Sequence, residues 1–231
     1  MTTCDFTTLN DTGLNLQAVL NLDDLPPDIV AELRRCYDLE HRYRQLILIG
    51  HAGKTLWASV KASGLVSENP IDDFSVGTVE RWFAAQFAGN CREVIYPGNI
   101  AVGLQRLGKI AGWHQDSPLM IGIHAEWGTW FAYRLVMLAD TDLPPTTPMQ
   151  GIRPCDRCQD KVCIASCPAG ALSGGTLALE KCVSYRKEPL SRCATTCVAR
   201  VNCPVGRVHR YGDDQIEHCY SISLEAIKQY C

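Results

Sequence analysis

Eight cysteines fall between residues 155 and 203 of this 231-residue chain, in two runs whose spacing suits metal chemistry. The first reads Cys155-x2-Cys158-x4-Cys163-x3-Cys167-Pro168, and the second reads Cys182, then Cys193-x3-Cys197-x5-Cys203-Pro204. Eight thiolates are what two cubane iron–sulfur clusters need, four each. A cubane presents four iron corners, so cysteines a few residues apart let a tight loop wrap successive corners.

A cysteine followed by proline leaves that loop, and in two-cluster ferredoxins it ligates the other cluster. The same logic here assigns Cys155, Cys158 and Cys163 to one cluster with Cys203 as the distant ligand. Cys182, Cys193 and Cys197 hold the second with Cys167. Each loop then completes its neighbour's site, so the two sites fold together. The gap Gln159–Val162 is longer than the usual two residues, and the second run is looser still, which loosens the exact partition. Structural zinc is the rival, because Cys-x2-Cys is also a zinc-knuckle element. Zinc sites usually pair two such knuckles and need no proline after the last ligand. Cys4, Cys36, Cys91, Cys219 and Cys231 lie outside the pattern and read as small buried or terminal thiols.

The amino terminus shows no positive segment followed by an apolar run, and no apolar stretch approaches a membrane span. A cytoplasmic, reducing setting is expected, where a cysteine array binds metal rather than forming a disulfide scaffold. Residues 1–150 carry 11 Lys and Arg against 17 Asp and Glu, and residues 151–231 carry 11 against 8, so the net −3 divides into −6 and +3. The bases near the cysteines (Arg153, Arg157, Lys161, Arg192, Arg200, Arg207, Arg210) either offset two anionic clusters, raising their potential, or form a solvated face. No basic stripe suggests a nucleic-acid partner.

A stiff proline-rich connector, Asp140–Pro154, separates these cysteines from an amino part that alternates helix and strand patterns. Ile29, Leu33, Cys36 and Tyr37 recur at helical spacing. Leu46–Ile49 reads as a buried strand, Val76–Phe87 as a second helix and Glu93–Tyr96 as a short strand. Ile100–Ile110 reads as a third helix weakened by Gly103 and Gly108. Strands are expected over Leu119–His124 and Thr129–Leu138. Alternation in the last puts Trp130, Ala132, Arg134, Val136 and Leu138 on one face. Arg134 is the only charge in that run, so it needs an anionic partner, either a structural carboxylate or a ligand's carboxylate or phosphate. Gly50-His-Ala-Gly53 lacks a full phosphate-binding fingerprint and reads as a turn.

The run Leu179-Glu-Lys-Cys182-Val-Ser-Tyr185 resembles the two-cluster module of epoxyqueuosine reductases, which place a lone cysteine in an Arg-Cys-Ile-Ser-Tyr context. Upstream, Ala111-Gly-Trp113, Pro118–His124 and Glu126-Trp-Gly-Thr-Trp-Phe131 resemble their Gly-Trp…Leu-Leu-Ile…Gly-Ser-Trp-Phe segment. Ile123–Arg134, with Leu143-Pro-Pro145 after it, is similar to CblC-type cobalamin-processing proteins. In those, a Gly-Trp-Phe-Ala-x-Arg strand lies in a nitroreductase-like fold and its arginine serves the thiol co-substrate. Reductive dehalogenases share the plan of a corrinoid domain followed by two clusters.

The resemblance covers residues 45–210. It implies an α+β fold, with a nitroreductase-like α/β domain over residues 1–143 and a small ferredoxin-like domain over 150–231. It implies two [4Fe-4S] clusters on the eight cysteines and a bound cobalamin, with Arg134, Trp113 and His124 as cofactor-binding candidates. A flavodoxin or reductase would supply electrons. The catalytic Asp of epoxyqueuosine reductases, in an Asp-Ser-Ala-Pro stretch, has no counterpart in Ile95-Tyr-Pro-Gly-Asn99. Tyr96 there is a candidate proton donor, as dehalogenases use a tyrosine, or simply the end of a strand. The amino part is short for a complete nitroreductase-like domain, so a corrinoid pocket would be reduced or shared across a dimer.

Three functions follow. The first is a corrinoid-dependent reductase, an oxidoreductase fed by the clusters. The second is a non-catalytic electron-transfer or cobalamin-trafficking module. The third is an epoxyqueuosine reductase.

Overall fold

The computed structural model describes residues 4–98 and 102–230. Asn99, Ile100 and Cys231, each part of a sequence expectation, lie outside them. Helices and an antiparallel sheet make this an α+β protein, as the sequence predicts. The chain forms two compact units, Met1–Ala111 with Phe131–Met149, and Gly112–Trp130 with Gln150–Cys231. Residues 112–130 thus pack with the cysteine-rich part.

The first unit holds strands β1 (Leu16–Asn21), β2 (Gln45–Ala52), β3 (Arg92–Tyr96) and β4 (Phe131–Ala139) in the order β1-β2-β4-β3, all antiparallel. β2 is buried along its whole length and β4 from Leu135 to Ala139. Strands covered on both faces tolerate no regular polar alternation, which is why Leu46–Ile49 and Leu135–Ala139 are continuous apolar runs. The short β1 run Leu16-Gln-Ala-Val-Leu-Asn21 carries little alternation, so its residue pattern does not announce a strand.

Helices α1 (Thr7–Asp11), α2 (Pro27–Cys36), α3 (Leu39–Arg42), α4 (Thr55–Ser63), α5 (Pro70–Gln86) and α6 (Leu104–Ile110) accompany the sheet. α5 starts on Pro70, with Asp72 and Asp73 in its first turn, where acidic groups suit the exposed N–H ends. Its Trp82 and Phe83 are buried and meet Phe87 at ring separations of 5.7 and 5.0 Å. Burying each such ring is worth about 1.5–3 kcal/mol.

Two bulges bend the sheet. On β4 the register moves from Leu135 opposite Ile49 to Tyr133 opposite Gly50, leaving Arg134 as the extra residue. On β3 it moves from Val94 opposite Met137 to Tyr96 opposite Val136, leaving Ile95 extra. The first bulge corrects the face expected for Arg134. Ala132 pairs with His51 and Leu135 with Ile49, so alternation reverses at Arg134, which turns to the His51 side, away from Val136 and Leu138. On α6, a Cβ at Gly108 would collide with the Tyr133 ring, so this glycine is set by packing at some cost in helix propensity.

The proline-rich connector is strapped to this unit over its first half. Thr146 exchanges bonds with Val19 of β1, its N–H donating to the Val19 carbonyl at 2.8 Å and its Oγ1 accepting at 2.9 Å. The buried Gln45 amide donates to the Leu143 carbonyl at 2.8 Å and accepts from the Leu143 N–H at 2.9 Å.

The second unit contains the short helices α7 (Pro154–Arg157), α8 (Val162–Ala165), α9 (Leu179–Lys187) and α10 (Val198–Val201), then α11 (Asp213–Tyr230). The expected strand Leu119–His124 is instead a loop closed by two isolated bridges, Gln115 to Ile123 and His124 to Gly128. Pro118 removes a donor there, and Met120 sits at φ +56°, neither compatible with a ladder. At Gly128, φ is +59° and a Cβ would strike the Val205 carbonyl, so the 124–128 turn lies directly against the chain leaving Cys203-Pro204.

Candidate metal centres

The local architecture around the cysteines is repeated. α8 and α10 are neighbouring four-residue helices, and each is followed after one residue by a Cys-Pro step, Cys167-Pro168 and Cys203-Pro204. Cys167 and Cys203 each donate a backbone N–H three residues back, to Ile164 at 3.3 Å and to Arg200 at 3.1 Å. The proline then turns the chain away, since it supplies no N–H to continue the helix.

Cys167, Cys182, Cys193 and Cys197 line one cavity of about 420 Å³, with Leu119, Leu172 and Ala199 among its apolar walls. Burial raises the Cys182 thiol, and Cys197, Cys167 and Cys193 push it further up against the opposing Arg186. Cys193 is likewise raised by burial, then by Cys197 and Cys167. The other four form a second group: Cys203 is raised by burial, then by Cys163, Cys155 and Cys158. Each crossing cysteine therefore stands among the three thiols of the opposite run. None of the twelve described cysteines is in a disulfide. Among the described residues, no group of three or more His, Cys, Asp or Glu forms a site that could hold a metal ion.

The charges around the two groups differ. By the 155/158/163/203 group, Arg153 is exposed and bonded to Asp156 at 2.9 Å, Arg157 is exposed, and Lys161 donates to the Cys155 carbonyl. By the 167/182/193/197 cavity, Arg186 is buried, at 7 % exposure. It donates to the Cys193 carbonyl at 3.1 Å, the Tyr220 carbonyl at 2.8 Å, Ser223 Oγ at 3.0 Å and the Ala194 carbonyl at 3.4 Å, all neutral acceptors. Arg200 also lines the cavity. Its guanidinium lies 4.5 Å from the Trp130 ring centre and 5.3 Å from that of Tyr211, and it donates to the Thr129 carbonyl. Its Nε is buried without a hydrogen-bond partner. Neither arginine has a carboxylate partner among the described residues. Cys219, set aside on sequence, lines the same cavity.

The remaining candidates fall in both units. In the first, Arg134 donates from Nε to His51 Nδ1 at 2.9 Å and from Nη1 to Asp72 Oδ1 of α5 at 3.2 Å. Its anionic partner is thus a structural carboxylate, the first of the two alternatives, and sequence reading missed both Asp72 and His51. Burial raises the Tyr96 phenol, Asp72 raises it further, and Arg134 opposes them. These four side chains make one polar group at the end of β3. Trp113 and His124 are buried in the second unit. His124 Nδ1 accepts from the N–H groups of Glu126 and Trp127 at 3.1 and 3.2 Å, which pins the turn before Trp130. Burial lowers its pKa, with Glu126 opposing.

No family model and no curated protein matches this chain. Solved structures share its fold. An epoxyqueuosine reductase in complex with an epoxyqueuosine-modified tRNA-Tyr stem loop is 13% identical with a TM-score of 0.53, covering 90% of this chain and 66% of its own. The epoxyqueuosine reductase from Bacillus subtilis is 12% identical at 0.53, covering 88% and 64%. A catabolic reductive dehalogenase in complex with 3-bromo-4-hydroxybenzoic acid is 13% identical at 0.53, covering 92% and 33%. This chain spans under two thirds of the length of these enzymes. No helix among the described residues is long and apolar enough to cross a membrane.

Proposed function

We propose that this protein is an iron–sulfur redox protein whose ferredoxin-like part carries two [4Fe-4S] clusters, on Cys155, Cys158, Cys163 and Cys203, and on Cys167, Cys182, Cys193 and Cys197. The observation that carries the reading is the 167/182/193/197 cavity: four thiols from crossing loops, faced by two guanidinium groups without carboxylate partners among the described residues. Buried charge is costly unless it is compensated. A cubane with four thiolates is dianionic when oxidised, and it fits that deficit in sign and size. Structural zinc sites need no proline after the last ligand, whereas both crossing cysteines here, Cys167 and Cys203, precede one, which favours the cluster. The clusters would supply one-electron storage.

The finer reading is that the electrons pass to a corrinoid, with Arg134 binding and Tyr96 donating a proton. Its support is the family resemblance and the shared fold, and the Tyr96–Arg134–Asp72 group is compatible with it. One observation favours the plainer alternative of a non-catalytic electron-transfer module: a ligand anion would have to displace Asp72 from Arg134.

Anaerobic purification with iron, sulfide and zinc analysis tests the first reading. About eight iron and eight sulfide per chain are expected for two such clusters, and stoichiometric zinc without sulfide would overturn it. Adding hydroxocobalamin under reducing conditions tests the second. An unchanged visible spectrum would eliminate the corrinoid and leave the electron-transfer module standing.

A further inference from the structure

We infer that Arg186 and Arg200 are built-in counter-charges that hold the 167/182/193/197 site at a higher reduction potential than the 155/158/163/203 site, so electrons move from the second-named site to the first. This rests on the cluster reading above. Reduction adds negative charge, and a fixed positive charge nearby stabilises the reduced state. The size of the effect depends on where the charge sits. Arg153 and Arg157 are exposed, and Arg153 is already bonded to Asp156, so water and salt screen them. Half-buried Lys161, donating to the Cys155 carbonyl, adds one partly sheltered charge on that side, against two guanidinium groups on the other. Arg186 and Arg200 act from inside the wall of the cavity, where the effective dielectric is lower.

Each is also held rigidly. Arg186 is fixed by carbonyls from the 193–194 loop and from Tyr220 of α11, and by Ser223. Arg200 packs against the Trp130 and Tyr211 rings, which meet each other edge-on at 5.3 Å. A purely structural role for these contacts predicts that lost stability, not lost potential, follows substitution.

The test is a redox titration of the anaerobically purified full chain, followed by electron paramagnetic resonance. Cys182→Ser identifies which of the two couples belongs to the Arg186 side. Arg200→Met and, separately, Arg186→Met should lower the midpoint of that couple and leave the other unchanged. Arg200→Lys and Arg186→Lys, which keep the charge, should restore most of the shift, and Arg157→Gln should move neither couple. Variants that stay loaded with unchanged midpoints would overturn the inference, as would an equal shift from Arg157→Gln. Should Met cost one cluster's iron instead, recovery with Lys supports the counter-charge role and failure to recover refutes it. Wild-type protein lacking iron would fail at the earlier step, the cluster reading itself.

Discussion

The two four-cysteine groups are built on the same plan but set in different surroundings. Both pair three cysteines of one run with the Cys-Pro cysteine of the other, and both place that cysteine after a four-residue helix. Around Cys155 and Cys158 the neighbouring Asp156, Arg157, Gln159 and Asp160 are exposed, Arg153 is paired with Asp156, and half-buried Lys161 donates to the Cys155 carbonyl. Around Cys182 and Cys193 the charge is buried, and it is hydrogen-bonded only to neutral groups. A repeated ligand pattern therefore need not give two equivalent centres. What differs is the dielectric in which each counter-charge acts.

The largest expected effect breaks the crossing itself. Cys167→Ser should remove the cluster of Cys182, Cys193 and Cys197, cutting iron by roughly half, and leave the Cys155 run loaded. Loss of the Cys155 cluster instead would show that ligands stay within their own run.

Next comes the buried arginine. Arg186→Met removes four hydrogen bonds to a charged donor and should cost about 2–4 kcal/mol in chemical denaturation, against about 0–0.5 kcal/mol for the exposed Arg157→Gln. Similar costs for the two would remove the contrast between the groups.

Gly128→Ala tests the tie between the 124–128 turn and Val205, just past Cys203. Positive φ and the close carbonyl predict about 1–3 kcal/mol, with any iron loss confined to the Cys203 cluster.

The smallest effect is a pH dependence. His124 is lowered by burial, and its Nδ1 must stay unprotonated to accept two N–H groups. Its contribution is complete above the unfolded histidine value, near 6.5, and fades as pH falls through that value, because the unfolded chain then binds the proton more readily. Melting temperature should drop between about pH 7 and 5, less so in His124→Gln.

Much of the architecture was legible because local rules governed it. The apolar runs of β2 and β4, the amphipathic α5 and the stop of β3 at Pro97 each follow from residue type over a few positions. Two expectations gave way, and one strand was not among the expectations. Alternation through Arg134 failed because a bulge adds one residue there, the strand Leu119–His124 became a bridged loop, and β1 passed unnoticed. Asp72 and His51 carried no signal, since neither lies near Arg134 in the chain.

By itself, the sequence carried the cysteine inventory, its two runs and the two Cys-Pro steps, because thiol spacing is a short-range property of the chain. Only the tertiary structure decided which charges face which thiols. Arg186 and Arg200 look no different in sequence from Arg157 or Arg192. Folding buries Arg186 and half-buries Arg200 beside one set of cysteines and leaves the others exposed, and burial sets how strongly a charge is felt.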